Sequence, residues 1–250
     1  MEQKNNLIFA SFILAVALII VAFIVSSAVY HIKALAYGLS VTGSAEKIVT
    51  SDTAKWTSSF SRNVGLTNMT KGSSEMKSDL ATILAYFNKN GIPSSAITIE
   101  PMTTNPVYDN SFGKPGYYGG GGGLIGYSFQ QQITVESNNI KAITALAQKA
   151  ATDLTEAGVI FSSQPVQYYY SKLSDLRVAL LAAATQNAKD RAEQIVKSVG
   201  SVLGPLRSAS QGVFQITPVN SAEFSGYGFY DTSAIEKKVT AIVNVSFGLK

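Results

Sequence analysis

Four carboxylates, Asp52, Glu100, Asp109 and Asp231, stand at predicted strand ends or in loops. Two carboxyl groups held about 5–9 Å apart across a cleft can act as acid and base, or acid and nucleophile, on a glycosidic bond. Their spacing in the chain brings no two of these four together, and a domain of this size carries many unpaired carboxylates. The one histidine, His31, has no carboxylate beside it, so it builds neither a Ser-His-Asp triad nor a metal site. Cysteine is absent, which excludes disulfides, thiol catalysis and thiolate-bound zinc. The expectation is a chain with no catalytic set, no cofactor and no metal; a carboxylate-dependent hydrolase is the last-ranked alternative.

Tyrosines in glycine-rich surroundings carry the stronger signal. Residues 105–126 read NPVYDNSFGKPGYYGGGGGLIG, with five glycines in a row at Gly119–Gly123. Such a run cannot hold regular structure cheaply, because glycine loses the most backbone entropy on ordering. It is not a phosphate loop, which needs a following Lys and Ser/Thr at a helix start; here Leu124-Ile125-Gly126-Tyr127 leads into a strand. A second run of this kind is PVNSAEFSGYGFYDTS at 218–233. Tyr117, Tyr118, Tyr227 and Tyr230 are therefore the candidate contact residues, for a second copy of the chain or for a ligand. Tyrosine serves protein interfaces and stacks on sugar rings equally well, so a glycan- or cell-wall-binding module is the alternative to self-association.

These loops must be set on a body, and the body has an apolar leader. Leu7 to Tyr30 holds no charge across 24 residues. As a helix it is roughly 36 Å long, against about 30 Å of hydrocarbon in a bilayer. Its length favours an uncleaved signal anchor; the small residues at Ser26-Ser27-Ala28 and Ala34-Leu35-Ala36 suit a cleaved signal peptide. Ser11, Ala15, Ala22 and Ser26 share a stripe that permits close approach of a second helix. The expected organisation is an anchor and connector at 1–37, a lipid bilayer as partner, and an extracytoplasmic domain at 38–250. The body is placed outside because the apolar run starts so close to Met1.

Charge excludes one partner class. Lys plus Arg is 20 and Asp plus Glu is 16, a net +4; Lys4 and Glu2 cancel, so the rest carries the same balance. The basic residues are scattered with no run of four, which excludes a nucleic-acid partner.

Along the body, 41–52 and 54–66 have strand composition, with Trp56, Ser58 and Phe60 on one face. Met76, Leu80, Ile83, Leu84 and Phe87 recur at threes and fours, predicting a helix over 69–90 that stops at Gly91, with a strand at 96–102. A strand at 127–136 leads to a helix capped by Asn138 or Asn139, striped by Ile140, Ile143, Ala147, Ala150 or Ala151 and Leu154, and stopped at Gly158 before another strand. This second helix, glycine, strand run repeats the first, as in a duplicated unit. Residues 165–170 are a strand whose three adjacent tyrosines cannot all be core. The longest helix is predicted over 173–203 with the stripe Leu173, Leu180, Ala184, Ala188, Ala192, Ile195, Val199 and Leu203, ended by Gly204-Pro205. Strands at 206–217 and 238–249 follow, the last with Val239, Ala241, Val243 and Val245 on one face.

Three segments together carry a family resemblance: VTGSAEKIVTSDTAKW at 41–56, ALLAAATQNAKDRAEQIVKSVGSVLG at 179–204 and KVTAIVNVSFGL at 238–249. In this order they resemble the SIMPL-domain family, which includes bacterial periplasmic oxidative stress defence and immunogenic proteins. The resemblance implies an α+β fold of antiparallel strands and about three helices behind the transmembrane helix. It also implies an extracytoplasmic place, no catalytic residue to carry over, and large ring-like homo-oligomers. The reading it supports is a membrane-anchored, non-enzymatic scaffold linked to the envelope or to oxidative stress, with a cell-envelope polymer or protein as a further partner. The long apolar leader and the pentaglycine insertion depart from the periplasmic members.

Overall fold

The computed structural model describes residues 14–16, 18–27, 38–109 and 123–249. They form an α+β protein with mainly antiparallel sheets. In order these are β1 (Gly38–Thr50), β2 (Thr53–Gly65), α1 (Met69–Lys89), a 3-10 turn (Ser94–Ala96), β3 (Ile97–Ile99), β4 (Thr103–Tyr108) and β5 (Leu124–Ser137). Then come α2 (Ile140–Glu156), β6 (Ile160–Ser163), β7 (Gln167–Tyr169), α3 (Leu173–Ser198), β8 (Leu203–Gln211), β9 (Gln215–Pro218), β10 (Phe229–Tyr230) and β11 (Glu236–Leu249).

Of the expected anchor, residues 14–16 and 18–27 are helical, and the rest of 1–37 lies outside the described residues. Among the described residues no helix is long and apolar enough to cross a membrane. His31 lies outside the described residues.

The described residues divide into two compact units, one within 47–176 and 215–239, the other within 14–46, 177–214 and 240–249. The first is built on the hairpin-like pair of β2 and β5, in antiparallel register from Ala54↔Ser137 to Gly65↔Gly126. β3 and β4 both pair with β5, and β6 and β7 both pair with β2, giving six strands. Strict alternation puts Ala54, Trp56, Ser58 and Phe60 on the buried face. Against them α1 presents Met76, Ile83 and Phe87, and α2 presents Ile143, Leu146, Ala150 and Leu154. Trp56, fully buried, lies 5.4 Å from the Phe87 ring and 6.0 Å from that of Phe161, and its indole N–H donates to Ser163 at 3.0 Å.

Each of these helices ends on a glycine in the left-handed region, Gly91 at φ 82° and Gly158 at φ 83°, where a side chain is disfavoured. Ile92 and Val159, the next residues, donate back to Phe87 and Leu154 and turn the chain into β3 and β6. Asn139 caps α2 by accepting from the Ala142 N–H at 3.2 Å. One member of the α1 stripe is polar. Asp79 is buried and takes two bonds from the Arg62 guanidinium, 2.6 Å from Nε and 2.8 Å from Nη2. Arg62 also donates to the Gly158 carbonyl at 2.8 Å, so one side chain on β2 ties α1 to the end of α2.

In the second unit β8 pairs antiparallel with β11, and β1 borders β11 as well. α3 buries Leu180, Ala184, Ala188, Ala192 and Val196 at a spacing of four. A Cβ at Gly43 would fall inside the α3 backbone at Ala184 and Ala188, so β1 and α3 approach as closely as two backbones can.

Three expectations are corrected. α3 stops at Ser198, not Leu203: Gly200 takes φ 71°, Ser201 donates back to Val196, and Ile195 and Val199 are exposed while Val196 is buried. Leu203 begins β8 instead, with Gly204-Pro205 inside that strand. The strand expected over 96–102 is only Ile97–Ile99, and Thr103–Tyr108, its residues 105–108 read as the start of the glycine-rich loop, is β4. Pro106 is tolerated there because β4 pairs on one side only, with β5.

Candidate contact site

The 218–233 loop leaves β9 and returns through β10, which pairs in parallel with β9. Its turns are short: Ser221 donates to Pro218, and Gly228, at φ 91°, donates to Ser225. Gln215, buried on β9, clamps the middle. Its amide nitrogen donates to the Ser225 carbonyl at 2.7 Å and its oxygen accepts from the Ser225 N–H at 3.4 Å.

The base of the loop is held by a buried ion pair. Asp231 accepts from the Ser233 N–H at 3.1 Å, the Ser233 hydroxyl at 2.6 Å and the Ala234 N–H at 3.0 Å. Lys237, 1% exposed, donates to the Asp231 carboxylate at 3.2 Å, to the Asp231 carbonyl at 2.8 Å and to the Ala234 carbonyl at 2.6 Å. An ammonium has three donors, and these three acceptors use them all. Burial pushes the Asp231 carboxyl up, but the bonds from Ser233, Ala234 and Lys237 outweigh it and hold the group at about 2. Burial lowers the Lys237 ammonium below its ordinary value, against the pull of Asp231.

On this fixed base the loop holds apolar surface outward. Tyr227 is 100% exposed, Phe224 66% and Tyr230 45%. The Tyr230 ring lies 6.4 Å from that of Tyr169 on β7, tilted by 36°. Tyr168, its neighbour, is core and shares a hydrogen bond with Thr144 at 2.9 Å. Of the expected contact residues, Tyr227 and Tyr230 thus sit on one loop; Tyr117 and Tyr118 lie outside the described residues.

The four carboxylates have separate surroundings. Asp52 accepts from the Ser171 N–H at 2.8 Å and the Ser171 hydroxyl at 2.7 Å. Burial raises its pKa, but the Ser171 and Thr53 bonds prevail and leave it lowered. Glu100 is exposed and lines a groove of about 500 Å³ with Pro101, Thr103, Gln130 and Gln132. Asp109 donates its backbone N–H to Gly123. Asp231 belongs to the ion pair. Among the described residues no group of three or more His, Cys, Asp or Glu side chains could hold a metal.

Lys237 and Gln215 were missed in the sequence. The signal for Lys237 was present: it shares the inward parity of Val239, Ala241, Val243 and Val245, so a lysine occupies an apolar row. No comparable pattern marks Gln215.

No curated protein matches the chain. The profile of the SIMPL family, described as a protein of unknown function (DUF541), matches residues 39–247, and so spans the first two segments that carried the resemblance and the third up to residue 247. The chain, matched from within β1 to within β11, belongs to the SIMPL family.

Proposed function

We propose that this protein is a non-enzymatic, membrane-anchored scaffold outside the cytoplasm, whose body self-assembles into a ring-like homo-oligomer. One observation carries the reading: Tyr227 and Phe224 stand exposed on a loop whose base is fixed by buried Gln215, Asp231 and Lys237. An aromatic side chain has few rotamers to lose, and a loop already fixed loses little more on contact, so binding through it costs little entropy. Chains anchored through 1–37 in one leaflet share an orientation, and a head-to-tail contact under that constraint closes by rotation about the membrane normal. Tethering raises the local concentration, so weak contacts suffice.

Light scattering of the full-length chain in mild detergent tests this. A closed oligomer is expected, and Tyr227→Ser with Phe224→Ser should dissociate it without changing the circular dichroism spectrum. A wild-type monomer at micromolar concentration overturns the reading.

A second reading, a glycan-binding module, is favoured by the groove at Glu100, Pro101, Thr103, Gln130 and Gln132. Its carboxylate, hydroxyl and amides are groups that bond sugar hydroxyls. Retention of the full-length chain on insoluble cell-wall glycan, lost in Gln130→Ala with Gln132→Ala, would support it; equal retention of both would not.

A further inference from the structure

Among the described residues, the edge of β1 that faces away from β11 is closed over part of its length and open over the rest. Among the described strands β1 ends its sheet, with β11 on one side only. On the other side α3 supplies side chains to the strand backbone. Asn187 accepts from the Ser44 N–H at 3.2 Å, and Arg191 donates to the Thr42 carbonyl at 3.2 Å. These residues lie one helical turn apart and blunt the edge as natural sheets do. Among the described residues no side chain does this for Gly38 or Ser40, which have the same parity and are exposed. Beside them runs a groove of about 660 Å³, walled by β1 at Ser40–Thr42 and by α3 at Asp190, Arg191, Gln194 and Ile195. A trough between an open strand edge and a helix is the geometry that accepts an added strand, whose backbone completes the ladder.

The same unit carries a strand fit to enter it. Among the described residues β8 pairs only with β11, and its residues 205–211 are all exposed. Its centre, Ser208-Ala209-Ser210, is small enough to lie under a helix. Its one charged residue is Arg207, and the one carboxylate of the groove is Asp190. We propose that β8 of one copy adds to the β1 edge of the next at Gly38–Thr42, in the groove beneath α3, with Arg207 meeting Asp190. This inference rests on self-assembly and names its backbone contact. Donor and acceptor edges differ, so the contact is head-to-tail and generates a ring when its rotation closes.

The absence of cysteine gives a clean test on the full-length chain in mild detergent. Ser40→Cys is combined, one at a time, with cysteines at Leu206, Arg207, Ser208, Ala209 and Ser210, under mild oxidation. Paired residues on adjacent strands lie within disulfide reach, and a step of one residue turns the side chain to the other face. Covalent multimers are expected several-fold more strongly at one position than at those beside it, and neither partner cysteine alone should cross-link. An oligomer by light scattering with no cross-link at any position overturns the strand addition and leaves self-assembly standing; a monomer overturns both. Cross-linking of Ser208→Cys alone would show β8 pairing with β8 and overturn the head-to-tail contact. As a second measurement, Asp190→Arg should reduce the apparent mass to one subunit, and Asp190→Arg with Arg207→Asp should restore it. An oligomer unmoved by Asp190→Arg overturns the Arg207 contact.

Discussion

Lys237 reaches Asp231 at 3.2 Å with both side chains almost wholly buried, 2% and 8% exposed. A buried pair is costly to assemble, and removing one member leaves a buried charge alone, which costs about 3–5 kcal/mol. Lys237→Ala should therefore lower the unfolding free energy by about 3 kcal/mol or more. Asp231→Asn with Lys237→Met should recover part of that loss, because the apolar chain refills the site without a charge. Urea unfolding of the wild type, Asp231→Asn, Lys237→Met and their combination gives the coupling; additive losses would show that the two groups act independently.

The same pair sets a pH dependence. The folded Asp231 carboxyl at about 2 lies below its ordinary value of 3.8, so its stabilisation is present above pH 4 and is lost as pH falls through 2. A shift of this size corresponds to about 2 kcal/mol. Asp52, also lowered, acts in the same acid window and with the same sign. Lys237 is lowered too, so it costs stability at neutral pH and that cost is relieved as pH rises through its folded pKa. Unfolding free energies between pH 5 and pH 2 should fall in the wild type and fall less in Asp231→Asn. Parallel slopes would remove Asp231 from the account.

Arg62 and Asp79 make a second test of a buried charge. The Asp79 carboxylate is 7% exposed and Arg62 gives it two bonds. Arg62→Met should cost about 3 kcal/mol by stranding Asp79, and Asp79→Leu added to it should return part of the loss. Arg62→Lys should fall between, since a lysine cannot span both carboxylate oxygens and the Gly158 carbonyl. Thermal melts of the three variants read this order.

Close packing of α3 on β1 predicts intolerance of added volume. Ala188→Leu should destabilise by about 1–3 kcal/mol, and Gly43→Ala should do so as well, because its Cβ meets backbone that has no rotamer to yield. An unchanged denaturation midpoint for either variant would place the alanine row away from β1.

What could be read in the sequence follows from periodicity. The even row of β2 and the inward row of β11 are strict repeats and are buried as read; of the α2 stripe Ile143, Ala150 and Leu154 are buried, Ile140 and Ala147 are half-buried, and Leu146, outside the reading, is buried with them. Glycine stops at Gly91 and Gly158 are local chemistry and were equally legible. The end of α3 was not, because Val199 and Leu203 continue a helical period by coincidence while Gly200 breaks the backbone. β4 was hidden by its proline and by the glycines that follow. The contact loop was legible as composition only. Its frame depends on Gln215 meeting Ser225 and Lys237 meeting Asp231, side-chain pairings that no repeat in the chain records.

The location of the body is the last prediction. The apolar run begins at Leu7, with Glu2 and Lys4 the charged residues before it; on its other side are His31 and Lys33. Lysine counts on the two sides nearly tie, and the positive-inside rule gives little direction. The extracytoplasmic reading proposed above requires that the domain following the apolar run is the translocated part. Protease added to intact cells or spheroplasts should digest the body, with exposed segments such as the Tyr227 loop among the accessible sites. Digestion only after lysis would place the body in the cytoplasm. A soluble body lacking 1–28, recovered from the medium or the periplasm, would show that Ser26-Ser27-Ala28 is a cleavage site and that the body is not held by an anchor.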